Sequence, residues 1–421
     1  MEKFLKRRSL SLLVSDGEFS FDVWDMRSEN GEWTKTYKVD LEDQMDRLHD
    51  KRMARSNDNS HVRNFTRSIR KRGSTNIDSL PDELVFQILL ELPAEDIYDS
   101  ATFVCKKWYK MINTDNFINA HLQHSTPGLL IQNRTHKYDR AVFAAIRKGK
   151  IEISKFGYKF TDRVLASCNG LVLNHYSEDN YALQIVNPAT KHRLFVTPPF
   201  TENVSRHNSF GIVHVASTMA YKVVHTYFHY TDDYLYTWGC SLLTVGVDTY
   251  WRRVHIRPVF PETAIVHTTQ QTTQGFMHWV WNNVCVLTLN VETEVITSTP
   301  VPRGYKHVRK WYLSKGKSLS LLVLCEDSSF DVWEMKSETG EWTKTYKVDF
   351  EPLSKYGRLT PVAWLKHGEV LVLSGSDLTR VCTTYNVLTR EIDCFELDDC
   401  CNDHIFKIHT NSLVSLDGIE V

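Results

Sequence analysis

Val186-Asn187-Pro188-Ala189-Thr190 (VNPAT) ends the apolar run LQIV in a tight polar turn, and this device returns four times toward the C-terminus. It recurs as VGVDT ending at Thr249, LNVET at Thr293, MKSET at Thr339 and YNVLT at Thr389, at intervals of 59, 44, 46 and 50 residues. Asn, Gly and Thr suit such turns because they tolerate special backbone angles or hydrogen-bond the turn locally. Around them lie short β-rich runs such as LLIQ, YKVVHTYF, SLLTV, VCVLTL, SLSLLVL and VLVLS, and no long amphipathic helix. A period of ~40–50 residues with about four strands each is the signature of propeller blades. Residues 125–421 are therefore read as an all-β domain, a six- or seven-bladed propeller, with a double β-sandwich as the alternative.

A second repeat crosses the whole chain. EWTKTYKVD stands at Glu32–Asp40 and again at Glu341–Asp349; Ser9–Glu42 aligns with Ser318–Glu351 without a gap, with 25 of 34 positions identical. The C-terminal copy reads as strand, turn, strand, turn, strand, which is three strands of a blade. Residues 1–42 are accordingly expected to be an orphan duplicated fragment of the β domain, without neighbours on either side. Ser15 and Asp16 replace Leu324 and Cys325, so positions read as buried in the domain have become polar at the front.

At 421 residues the chain exceeds one ordinary core, and two or more domains are expected. The net charge of −1, with 42% hydrophobic and 24% charged residues, argues against a protein built wholly to coat nucleic acid or a membrane. No apolar run approaches the ~20 residues that span a bilayer, so no membrane partner is expected. Nine cysteines without a CxxC pair support neither a zinc ribbon nor a thioredoxin-like site. Cys394, Cys400, Cys401 and His404 match no familiar zinc spacing, and small thiols in a reducing compartment are the better reading. A cytoplasmic or nuclear location follows from that reading.

Residues 43–76 read as a basic flexible linker. Lys51–Arg72 holds eight Lys or Arg against one acid, Asp58, and buries too little to offset its ordering entropy. A nuclear-import or nucleic-acid patch is the functional alternative for it.

Residues 77–124 change to helical signals. Ser79, Pro81, Asp82 and Glu83 make a helix start, with Pro in the first turn and acids at the positive end. Leu84, Val85, Ile88, Leu89 and Leu92 then form an apolar stripe ended by Pro93. A second helix from Ala94 carries Ile97, Ala101 and Val104; Trp108, Met111 and Ile112 continue the face, and Thr114 can cap a last turn with Phe117. Such a small helical unit is expected to need a partner to cover its apolar surface.

These residues resemble the F-box. Leu80-Pro81-Asp82-Glu83-Leu84, Ile88-Leu89, Leu92-Pro93 and Val104-Cys105-Lys106 with Trp108 follow that family's signature in order and spacing, apart from Thr102 where many members carry Arg. The resemblance implies docking to the Skp-type adaptor, and through it a cullin scaffold, by Leu80, Pro81, Leu84, Ile88, Leu89, Leu92, Pro93, Ile97, Val104 and Trp108. The β region in turn resembles the F-box-associated interaction domain of plant F-box proteins, of the kelch-like β-propeller type. The carrying residues are Ser167-Cys168-Asn169-Gly170, Asn187-Pro188-Ala189-Thr190, Tyr221-Lys222-Val223-Val224, Gly275–Trp279 and Ser320–Trp333. Such domains recruit protein targets, and some members bind glycoproteins.

Nothing in the sequence marks an enzyme. HExxH, GxSxG, GxxxxGK[ST] and GxGxxG are absent, and no cofactor is expected. His278 beside Trp279 is read as structural, and Trp238 and Trp281 as candidates for a stacking surface. The expected protein is thus multidomain α+β, a non-catalytic substrate adaptor of a cullin-based (SCF-type) ubiquitin ligase. A glycan- or peptide-binding propeller with a decayed F-box is the alternative, and nucleic-acid binding ranks third.

Overall fold

The computed structural model describes the strands within residues 2–40 and most of 81–416, the longer exceptions being 134–140, 177–181, 198–207, 231–235, 256–265, 350–358, 376–380 and 398–403. The chain divides into two compact units, Met1–Ser125 and Thr126–Val421.

In the first unit, Glu2–Lys6, Ser9–Ser15, Ser20–Met26 and Trp33–Asp40 form one four-stranded antiparallel meander. Among the described residues four short helices come after it: α1 (Asp82–Leu90), α2 (Ala94–Asp99), α3 (Lys106–Ile112) and α4 (Asp115–His124). Pro81 and Pro93 stand at the N-caps of α1 and α2, each followed by two acids in the first turn. Both suit the place, since Pro lacks the N–H that a first turn leaves over and acids meet the positive helix end. Thr114 caps α4, its Oγ1 accepting from the Phe117 N–H at 3.2 Å. The buried His121 ring lies 2.9 Å, through Nε2, from the Leu92 carbonyl, tying α4 to the end of the first helical turn-around.

The second unit is a six-bladed propeller of four-stranded antiparallel sheets. Blades 2 to 6 cover 164–196, 209–253, 266–300, 310–348 and 359–396. Blade 1 is sewn from both ends: His404–His409 pairs with Gly128–Asn133, from His404 opposite Asn133 to His409 opposite Gly128. The inner strands succeed one another round the ring, and His404–His409 returns beside Val164–Cys168. This closed ring sets aside the double sandwich and fixes the blade number at six.

The repeated turn has one physical basis. Asn187, Asn290 and Asn386 each accept two backbone N–H groups through Oδ1, at 2.9–3.4 Å. The residue after the Thr then takes the left-handed conformation: Lys191, Glu294 and Arg390 at φ +63°, +58° and +61°, and Gly340 at +75°. The side-chain amide folds the turn where a β-branched residue would resist it.

Two readings of the duplication need correction. The N-terminal sheet has four strands, one more than the three-strand fragment inferred from the alignment. Its first strand, Glu2–Lys6, shares only Lys6 with Trp311–Lys315, so the match had faded below recognition while the pairing survived. Leu324 and Cys325 are half-buried, not core, because they lie where a strand runs out into a turn.

Candidate adaptor-binding and target-binding surfaces

Most residues named from the F-box pattern lie inside the helical unit. Leu84, Ile88, Leu89, Leu92, Ile97 and Trp108 are each at most 4% exposed. They form the core of the helical unit. Pro81, Pro93 and Val104 are half-buried, and Leu80 lies outside the described residues. Among the described residues of this helical unit the large apolar side chains that face solvent are Phe103, 63% exposed, and Tyr109, 56% exposed. Phe103 ends a single 3-10 turn, Ala101–Phe103, that breaks the helical period. The apolar stripe therefore did not select it. Thr102 donates its hydroxyl to the Tyr98 carbonyl at 2.8 Å. An ion pair joins Lys107 of α3 to Asp82 at the start of α1.

In the propeller, the family-like motifs close the ring. Ser167 Oγ lies 2.8 Å from His409 Nδ1, and His409 Nε2 lies 2.9 Å from Asn411 Oδ1. Asn187 donates through Nδ2 to the Ser412 and Val414 carbonyls at 2.9 and 2.7 Å. Ser412 donates to the Asn169 carbonyl at 2.7 Å. Gly170 has φ +86°, and a Cβ there would come within 2.0 Å of Ser412 Oγ, so no side chain fits. The Ser-His-Asn arrangement resembles a nucleophile and its base. Burial, however, pushes the His409 imidazole down to about 4, too weakly basic to draw a proton from a hydroxyl. Its role is to fasten the C-terminal segment onto blade 2.

His278 is equally structural. Its Nε2 lies 2.9 Å from Thr273 Oγ1 and 3.2 Å from Ser337 Oγ, and its Nδ1 3.0 Å from Thr288 Oγ1. Ser337 belongs to blade 5, so the ring couples two blades. Burial pushes its pKa down to about 3. Trp238 and Trp281 are no stacking platform: each is 7% exposed and packs in the core between blades 3 and 4, where Trp238 meets Trp279 edge-on at 5.4 Å. Alternation along a strand does not separate a blade-facing Trp from a solvent-facing one when both sheet faces are covered. The exposed aromatics among the described propeller residues are Phe195 and Tyr250.

Glu294 clamps blade 4 to blade 3. Its Oε1 accepts from Lys222 Nζ at 2.7 Å and Arg252 Nη2 at 2.8 Å, and its Oε2 from Arg252 Nη1 at 2.7 Å. The Arg252 hydrogen bonds hold the carboxyl below its ordinary range. Glu294→Ala would leave Lys222, 11% exposed, without its carboxylate. A loss of about 2 kcal/mol, after allowing for solvent screening, is expected in urea unfolding at pH 7.

The two ends of the propeller differ. First-to-second-strand turns are short (169–170, 216–219, 274–275, 316–317 and 366–369), and the Asn-Thr turns share their end. At the opposite end the described strand ends are separated by longer stretches of sequence, among them 176–182, 197–208, 254–265, 301–309, 349–358 and 397–403. Loops on a rigid scaffold are where binding residues concentrate.

Among the described residues no group of His, Cys, Asp and Glu could hold a metal ion; Cys400 and Cys401 lie outside them. No helix among them is long and apolar enough to cross a membrane. The basic stretch 51–72 is also outside the described residues.

Residues 77–121 match the F-box-like family model. The chain is similar to two Arabidopsis thaliana proteins along most of its length. It is 24% identical to F-box protein At5g07610 over 65% of this chain and 71% of that one. It is 22% identical to Putative F-box only protein 10 over 70% and 75%. A third, F-box protein At3g08750, is 26% identical, and the chain spans only 38% of its length. Among solved structures the β region is similar to oligogalacturonate lyase from Vibrio parahaemolyticus (TM-score 0.39, 9% identity, 63% of this chain and 78% of that one). It is also similar to the Cps50 (Swd1) β-propeller domain of Myceliophteria thermophila (TM-score 0.35, 14% identity, 65% and 86%). A helical F-box-like region followed by a six-bladed β-propeller, with similarity to F-box proteins of Arabidopsis, is consistent with a plant F-box protein carrying a β-propeller.

Proposed function

We propose that the protein is a substrate-recognition subunit of a cullin-based ubiquitin ligase. Its helical unit docks the Skp-type adaptor, and its propeller holds a target protein, glycoproteins included. The observation that carries this reading is the F-box-like match at 77–121 ahead, in sequence, of a closed six-bladed scaffold whose strand ends on one side are separated by longer stretches of sequence. The protein performs no chemistry itself. Holding the target raises its effective concentration at the ubiquitin-charged enzyme. The cytoplasm or nucleus is the matching compartment. Adaptor contact is assigned to Phe103 and Tyr109, solvent-facing over a packed core, with half-buried Val104 beside Phe103. A few central aromatic anchors dominate such interfaces, each worth about 2 kcal/mol or more. The double variant Phe103→Glu, Tyr109→Glu is expected to lose adaptor co-purification while the propeller melts as before. Undiminished co-purification would reject the assignment.

A further inference from the structure

The N-terminal sheet repeats blade 5 in its pairing as well as its sequence. Glu2 stands opposite Leu13 as Trp311 stands opposite Leu322. Leu12 stands opposite Trp24 as Leu321 stands opposite Trp333. The register slips between Val23 and Trp24 in one and between Val332 and Trp333 in the other. Same register, same bulge.

Both broad faces of blade 5 are buried by neighbours. Leu319, Leu321, Met335 and Trp333 pack with Val280 and Val286 of blade 4. Leu322, Phe330, Val332 and Tyr346 pack with Trp364, Leu371 and Leu373 of blade 6. The matching positions of the N-terminal sheet hold Leu10, Leu12, Met26 and Trp24, then Leu13, Phe21, Val23 and Tyr37, all identical. Between Ser9 and Glu42 the nine differences fall at 15–19, from the last residue of the second strand up to the third, and at 25, 27, 30 and 41. The residues of the second to fourth strands that fit the slot between blades 4 and 6 have therefore been kept in both copies, while in the first strand Lys3 and Phe4 stand where blade 5 buries Tyr312 and Leu313. The six-bladed ring is closed and offers no seventh place.

We propose that the N-terminal sheet is an exchange blade for a second copy of this chain, able to replace blade 5 between blades 4 and 6 of another molecule. Exchange of an identical element between protomers is a low-cost route to a dimer, because the incoming piece remakes contacts the fold already uses. An intact blade 5 keeps its own place, being joined to both neighbours in the chain. Damage to blade 5 tips the balance toward the exchanged form.

Phe330, 1% exposed, and its counterpart Phe21 provide the test in the full-length chain. Phe21→Ala alone is expected to melt like the unaltered protein. Phe330→Ala is expected to form a dimer in light scattering and to melt roughly 5–10 °C above the double variant Phe21→Ala, Phe330→Ala. That melting point should rise with protein concentration. Equal melting of the single and double variants would overturn the proposal, and so would recovery of stability by a strictly monomeric Phe330→Ala protein. If Phe330→Ala is insoluble, Phe330→Leu with and without Phe21→Leu carries the same comparison.

Discussion

Ending the chain at Asp403 is expected to open the propeller and abolish its cooperative thermal transition. The lost segment supplies the inner strand of blade 1, six residues paired along Gly128–Asn133. It also removes the acceptors of Asn187 Nδ2 and the His409 partner of Ser167. Ile405, Leu413 and Val414 are buried, and Phe406 and Ile408 pack between blades 6 and 1. At about 1.5–3 kcal/mol for each large apolar side chain, their loss matches the whole stability of a typical domain, about 5–15 kcal/mol. The exposed edge of Gly128–Asn133 would in addition offer a pairing template and promote aggregation. A milder truncation after Thr410 keeps the strand and loses the Ser412–Val414 anchors and the Asn411 partner of His409, so it should melt lower but still cooperatively. Calorimetry of both forms checks the ranking, and an unchanged transition in the longer truncation would contradict the closure described above.

Mild acid is expected to weaken the same domain steeply. Burial pushes His225 and His278 down to about 3 and His409 to about 4. All three are 1% exposed. The folded state holds them neutral, whereas the unfolded chain takes up protons near the ordinary value of about 6.5. Their contribution is thus complete above pH 6.5 and is lost progressively as pH falls toward 4 and 3. Each histidine costs about 1.4 kcal/mol per pH unit in that window, so three cost on the order of 6 kcal/mol by pH 5. The carboxylates held low, such as Glu294 and Asp327, begin to lose their contributions only as pH falls below their ordinary values of 4.5 and 3.8, both under pH 5.0. Urea midpoints at pH 7.5 and 5.0 measure the effect. His278→Gln, which keeps polar atoms among the three hydroxyls, should remove about a third of the slope. A stability that is flat between those two pH values would contradict the buried neutral histidines.

The sequence carried the parts of the fold that rest on local chemistry. Pro81-Asp82-Glu83 and Thr114 marked helix ends because caps act within one turn. The VNPAT-type turns marked blades because a side-chain amide or Gly must shape each one. What stayed hidden depends on residues far apart in the chain. Asn187 reads as a turn residue, yet two of its hydrogen bonds reach carbonyls of residues 412 and 414. Gly170 reads as one more flexible glycine until Ser412 is placed against it. The apolar stripe of α1 was legible, but its direction was not: periodicity shows that Ile88 and Leu89 share a face and cannot say whether that face meets its own core or a partner. Phe103 escaped notice because the short 3-10 turn breaks the period that would have flagged it.

The adaptor role is tested most directly by mixing the purified full-length chain with a Skp-type adaptor bound to its cullin scaffold and following the mixture by size exclusion with light scattering. One stoichiometric three-protein complex is expected, lost with Phe103→Glu, Tyr109→Glu and retained with Glu294→Ala. Elution of the unaltered, folded chain apart from the adaptor–cullin pair would contradict the account.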